Sequence, residues 1–193
     1  MTEFAFILGN GKTRRAFNIS DLRNRGSVYA CNAVYRTEQV DVLISTDPGI
    51  SSEIIASGYP DNHIHYTREN NIKPGVKSRA LSSRWQGYSS GSNALAQACI
   101  DGFAYCFMIG MDLVSDSMYI NNLYADTLNY KASNSEPTFH GNWEGQIQEI
   151  IQEFPTTRIV HVNPLLMYTP EIWKTYPNFE IQSVDKFKSM INI

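Results

Sequence analysis

The chain lacks any apolar run close to the roughly 20 residues a membrane-spanning helix requires, and no basic-then-apolar leader opens it. Both absences lead to the expectation of a cytosolic protein. Cysteine is scarce: Cys31, Cys99 and Cys106 make an odd count without a CxxC pair. They read as small buried thiols in a reducing compartment rather than as a disulfide framework. An excess of positive charge is missing too. With 16 Lys and Arg against 19 Asp and Glu, the net charge is −3. No broad basic surface is implied, so nucleic acid is not the expected partner, although a local basic pocket can still form. Nor is there a DxD, HxxxH or HExxH pattern, so no metal site is expected.

What is present is an ordinary soluble composition, 42% apolar and 18% charged over 193 residues, enough for one domain with a proper core. Strand and helix signals alternate. Strands are expected at Glu3–Leu8, Ser27–Cys31, Val40–Ser45, Asn62–Tyr66, Tyr105–Ile109 and Thr157–Val162. The core strands are nearly continuous apolar runs, the pattern of strands covered on both faces of a parallel sheet. Helices are expected at Ile50–Ser57, Ser90–Ile100, Asn142–Phe154 and Ser183–Met190, with Ser90 or Ser92 capping the second. The predicted fold is an open, mainly parallel α/β sheet with helices on both faces, a single Rossmann-like domain over 1–193. Two segments carry no regular pattern. Thr67–Tyr88 is basic and turn-rich and reads as a solvated loop, and about 113–140 reads as a small lid-like insertion.

In such a sheet the ligand crevice lies outside the carboxyl ends of the strands. The residues following the strands are Gly9, Asn10 and Gly11; then Asn32; then Asp47; then Asp112; and finally Asn163-Pro164. Ser90, Gly91 and Ser92 open the helix that leads to the fifth strand. Glycines let a backbone approach a ligand, and successive amides can face an anion. Gly9-Asn10-Gly11 matches neither the Walker loop nor GxGxxG, however, and alone reads as a turn. A helix start rich in small hydroxyl residues can hold phosphate or carboxylate. Asp47 and Asp112 can contact ribose hydroxyls or a base, or cap a turn. His161 reads as a core residue, whereas His140 precedes a helix at the end of the polar loop, where a histidine is free to reach a cleft as a general base.

Taken in order, ILGNGKTRR, VYACNAVYR, VDVLISTDP and GYSSGSNALAQACIDGFAYCFMIGMDL resemble the Rossmann-type domain of small bacterial sialyltransferases that use a CMP-sugar. They are also similar to the related hydroxymethylpterin pyrophosphokinase-like proteins. The resemblance spans roughly Glu3 to Pro164. It implies a metal-independent glycosyltransferase with a nucleotide-sugar donor, plausibly CMP-linked, a glycan or other hydroxyl acceptor and no further cofactor. By the same resemblance Asn10 and Gly11 touch the nucleotide phosphates, and Asn32 the nucleotide or donor sugar. Ser90, Gly91 and Ser92 line the donor's phosphate or carboxylate, and Asp112 lies near the ribose. His140 is the catalytic base. Tyr119, Tyr124 or Tyr130 steadies the departing phosphate. Lys12-Thr13 and Asp47-Pro48 depart from the family's Gly-Asn-Gly-Pro-Ser and Asn-Pro. The pyrophosphokinase relatives imply an alternative, ATP- and magnesium-dependent phosphoryl transfer through Asp47 or Asp112. A nucleotide-binding module without chemistry is the third expectation.

Overall fold

In a computed structural model, residues 3–115, 117–163 and 168–193 are described. Pro164, at the expected end of the last core strand, lies outside them. Eight strands form one sheet: β1 Phe4–Leu8, β2 Ser27–Cys31, β3 Val42–Ser45, β4 Ile64–Thr67, β5 Arg79–Ala80, β6 Tyr105–Ile109, β7 Arg158–Val162 and β8 Phe179–Gln182. Six helices accompany them: α1 Ile19–Arg23, α2 Pro48–Ala56, α3 Tyr59–Asn62, α4 Ser90–Ile100, α5 Gly141–Glu153 and α6 Val184–Ile191. The spatial order is β5-β4-β3-β2-β1-β6-β7-β8 and every pairing is parallel. This is an open, Rossmann-like α/β sheet. The chain lays down β1 to β5 in one direction, returns through α4, and continues on the other side of β1.

The period-two geometry of the strands divides the core. Ala5 and Ile7 point to one face with Leu95, Ala98, Ile147 and Ile150 of α4 and α5. Phe6 and Leu8 point to the other, with Leu22, Ile54 and Phe187 of α1, α2 and α6. Both faces are therefore buried, which is why β1, β2 and β6 read as continuous apolar runs. Phe187 fixes α6 edge-on to Phe6, 5.9 Å between ring centres, and to Phe107 at 5.0 Å. Among the described residues no helix is long and apolar enough to cross a membrane.

The expected helix starts hold to within two residues, and Ser183 caps α6 through the Lys186 amide. Ser89, not Ser90 or Ser92, caps α4, its hydroxyl accepting from the Ser92 amide. The expectation missed β5 and β8. β5 is two residues long, and β8 interleaves polar Glu180 and Gln182 with Phe179 and Ile181 at the sheet edge.

Two histidines lie inside the polar part of this core. His65 is fully buried between the Ser45 and Ser78 hydroxyls, 2.8 Å from each. His161 meets Thr169 at 2.9 Å. Burial pushes each imidazole down to about 4. The unfolded chain takes up these protons near pH 6.5 and the folded chain does not, so stability contributed above pH 6.5 is lost as pH falls toward 4. Glu180, held down to about 2 chiefly by Lys186, loses its contribution only below the ordinary carboxylate range. We expect the unfolding free energy to drop by about 3 kcal/mol per histidine between pH 6.5 and 4. His65→Asn should roughly halve that slope in denaturant titrations; an unaltered slope would refute the assignment.

Candidate active-site cleft at the sheet switch point

The chain reverses direction between β1 and β6, and the loops leaving these two strands lie against each other. The Gly9 amide donates to the Ile109 carbonyl and the Gly11 amide to the Gly110 carbonyl, both at 2.8 Å. The contact leaves no room for side chains. A Cβ on Gly9 would stand 2.3 Å from the Gly110 oxygen, and one on Gly11 2.3 Å from the Asp112 carboxylate. Gly110 also has φ +69, the left-handed region. The glycines that look like a phosphate cradle are thus required by the neighbouring loop.

Asp112 closes this junction. It is 7% exposed, and its carboxylate accepts from the Thr13 amide at 3.2 Å, the Thr13 hydroxyl, and the Asn121 amide nitrogen at 2.9 Å. The Lys12 amide donates to Asn121 Oδ1 at 2.8 Å. The amides of Gly9, Gly11, Lys12, Thr13 and Arg14 are therefore all engaged inside the protein. Within this loop the Asn10 amide has no acceptor among the described residues. The sequence alone reads this loop as a turn, and only the family resemblance gives Asn10 and Gly11 a phosphate; spacing cannot show that β6 lies beside the loop.

Beside the junction opens a cleft of about 470 Å³, within the range of small-molecule sites. Its floor is the β1–β6 junction. One wall comes from the ends of β2 and β3, with Asn32, Thr46 and Asp47, and from the start of α4. The other wall is the 113–140 insertion and the first turns of α5, with Asn121, Tyr130, Thr138 and Trp143. Asn32 has φ +56, a conformation that costs a non-glycine residue energy, and its buried Oδ1 has no hydrogen-bond partner among the described residues. Asp47 occupies the N-cap position of α2, yet its side chain makes no capping bond. At α4 the Ser90 hydroxyl is engaged with Thr46, 2.9 Å from both its amide and its hydroxyl, and Ser92 bonds Ser89 at 2.9 Å. The Ser90 and Gly91 amides keep no acceptor among the described residues, and Met111 packs over Gly91.

Beyond Asn121, the insertion is tied to the rest of the domain at several further places, among them Tyr130 and the Arg36–Glu53 cluster. Tyr130 accepts from Asn10 Nδ2 at 3.2 Å and from the Ala33 amide at 3.1 Å, leaving its own proton free. Burial pushes this phenol up, so it remains a neutral donor. Outside the cleft, Glu53 holds Arg36 through two bonds of 2.8 and 2.5 Å, and also receives Tyr35 at 2.7 Å and Asn129 at 2.8 Å. Arg36 then reaches Thr127 and the Leu128 carbonyl. Cys31 lines the cleft, but burial pushes its thiol up to about 11, so it is no nucleophile at neutral pH.

Gly9, Asn10, Gly11, Asn32, Asp47, Ser90, Gly91, Ser92 and Asp112 all line this one cleft. Tyr119, Tyr124 and His140 do not. Tyr119 is 46% exposed on the insertion. Tyr124 is buried behind the floor, bonded to Arg14 at 2.8 Å and Thr37 at 2.9 Å. His140 stands beyond the wall, its Nε2 3.8 Å from Glu144 and its ring 5.5 Å from that of Tyr168. Asn163 is buried beside β8. Lys12 is exposed and not part of the wall. Arg68 and Lys131 are wall residues that sequence reasoning did not select. Arg68 directly follows β4, so the strand-end rule would have found it had the strand been ended at Thr67 rather than Tyr66. Among the described residues its Nε is buried without an acceptor, and its guanidinium makes a long contact of 3.4 Å with the Tyr88 carbonyl.

No family model, curated protein or solved structure matches the chain. Two substitutions test the local roles. Gly11→Ala should destabilise the protein by about 2 kcal/mol or more in denaturant unfolding, because the new Cβ meets backbone and a buried carboxylate. Asn32→Gly should leave stability within about 1 kcal/mol, since glycine accepts the positive φ, while weakening ligand binding.

Proposed function

We propose that the protein is a cytosolic, metal-independent glycosyltransferase that binds a nucleotide-sugar in this cleft and passes the sugar to an acceptor hydroxyl. The supporting observation is the convergence of unused polar groups on the switch-point cleft. These are the α4 amides, the Arg68 Nε–H, the Tyr130 proton, Asn32 Oδ1 and the Asp47 carboxylate. Donors gather where a leaving phosphate would need them, and acceptors face the β2–β3 side, where hydroxyl or amino groups of a nucleoside would be read. In the transfer the acceptor oxygen attacks the anomeric carbon and the bond to the phosphate oxygen breaks, with its electron pair leaving on phosphate. The acceptor proton passes to His140. Free N–H and O–H donors aimed at the developing charge are typically worth about 3 kcal/mol each. His140 lies two residues from Thr138 and three from Trp143, both on the cleft wall, and Glu144 stands beside its ring.

The place of His140 outside the wall favours a second reading, a nucleotide-binding protein without transfer. Phosphoryl transfer with magnesium fits the residues poorly. Of the two carboxylates on the wall, Asp112 is committed to Thr13 and Asn121, which leaves Asp47 as the wall carboxylate open to a magnesium ion.

Calorimetry against CMP, CDP, ATP and GTP, with and without magnesium, tests the reading. Binding of at least one nucleotide without the metal is expected, and none would refute it. His140→Ala should abolish transfer while leaving nucleotide affinity within about twofold; unchanged turnover would exclude the histidine as base.

A further inference from the structure

Arg14 is 5% exposed, and among the described residues no carboxylate lies within ion-pair distance of it. Its guanidinium donates to the Gly9 carbonyl at 2.7 Å, to Asn10 Oδ1 at 3.4 Å and to the Tyr124 hydroxyl at 2.8 Å. It also lies 5.4 Å from the centre of the Tyr124 ring. Every one of these partners is neutral. Hydrogen bonds and a ring face recover part of the cost of taking a cation out of water, but they do not cancel its charge. The nearby Asp112 carboxylate is bound by Thr13 and Asn121 instead.

We infer that Arg14 is the positioning residue and fixed counter-charge of the cleft, selecting ligands that carry a phosphate; the inference rests on the nucleotide-binding reading above. Two of its contacts reach the cleft wall directly. Gly9 and Asn10 line the cleft, and Arg14 holds the oxygen of each from behind. By drawing Asn10 Oδ1 inward it turns Asn10 Nδ2 toward Tyr130, so that both side chains present one fixed face to the cleft. Its charge is also felt at the wall, where it pulls the Cys31 thiol down against the opposing effect of burial. Because the guanidinium is withdrawn from water, its field is screened less than that of an exposed lysine such as Lys12. Tyr124 acts through Arg14: its hydroxyl and ring keep the guanidinium under the junction.

The test varies the charge of the residue and of the ligand together. Affinities for cytidine and CMP, and in parallel for guanosine and GMP, are measured in the intact chain and in Arg14→Met and Arg14→Lys, with folding checked by thermal unfolding. The unaltered protein should bind a monophosphate at least about tenfold more tightly than its nucleoside. Arg14→Met should remove most of that preference and leave nucleoside affinity within about twofold, whereas Arg14→Lys should keep most of it. Equal weakening of nucleoside and monophosphate in Arg14→Met would show a packing role only and overturn the inference. Equal binding of both by the unaltered protein would also overturn it, while leaving nucleotide binding intact. Binding of neither would instead refute the nucleotide reading itself. If Arg14→Met does not fold, Tyr124→Phe serves: it should reduce the monophosphate preference, and an unchanged preference would overturn the proposal.

Discussion

The rest of the structure depends on the close approach of the loops after β1 and β6. Parallel strands in register bring Leu8 opposite Ile109, so the two chains leave the sheet side by side. With Gly9, Gly11 and Gly110 at the contact, amides of one loop bond carbonyls of the other. Any side chain at Gly9 or Gly11 would collide with backbone, and at Gly11 also with Asp112. The junction fixes Thr13 and Arg14 beneath the floor, and through Asn121 it sets where the 113–140 insertion begins. Cleft, buried arginine and insertion all follow from one backbone contact.

Much of the fold was legible because its signals are local or periodic. Runs such as FAFIL and YCFMI can be buried on both faces only in a covered sheet, and the alternation with helices makes that sheet parallel. The order of the strands is not local, yet the carboxyl-end rule needs only that the strands be parallel. It therefore brought Gly9, Asn10, Gly11, Asn32, Asp47 and Asp112 to one cleft, beside the start of α4, without knowledge of which strand neighbours which. What it could not supply was partnership. Asp112 reads as a free carboxylate in GMDL and is in fact saturated by Thr13 and Asn121, 99 and 9 residues away. Tyr119, Tyr124 and His140 failed to reach the wall because irregular chain has no period from which direction can be read.

Of the buried polar atoms without a partner among the described residues, Asn32 Oδ1 and Arg68 Nε lie on the cleft. Arg23 Nε, the Tyr59 hydroxyl, Asn93 Oδ1 and Gln182 Oε1 lie away from it, so an unmet bond marks the site only together with other features. Ser45, Ser51, His65, Thr67 and Asn71 form a closed network in which the hydroxyls, the imidazole and the Asn71 amide nitrogen have partners. Such a set stiffens the β3–β4 side and offers little to a ligand, although a serine–histidine contact within it invites a catalytic label. Around the cleft the pattern reverses. Asn32 Oδ1 and Arg68 Nε are buried with no partner among the described residues, and Asn32 is held in a strained backbone conformation. Unmet hydrogen bonds and strain persist only where surrounding structure enforces them, and here both border the same opening.

The two walls are held by different kinds of contact. The β1–β6 side is locked by backbone bonds and buried groups that no water can replace. The insertion is held at its surface by the Arg36–Glu53 cluster, whose side chains remain about one-fifth exposed. Nearer the floor it is held by the two bonds to the Tyr130 hydroxyl, by Asn121 on Asp112 and Lys12, and by buried Tyr124 on Arg14 and Thr37. Pairs open to solvent exchange with water at small cost, because screening weakens them and hydration compensates their loss. The Tyr130 hydroxyl takes up Asn10 Nδ2 and the Ala33 amide at the floor, both donors, beside the charge of Arg14.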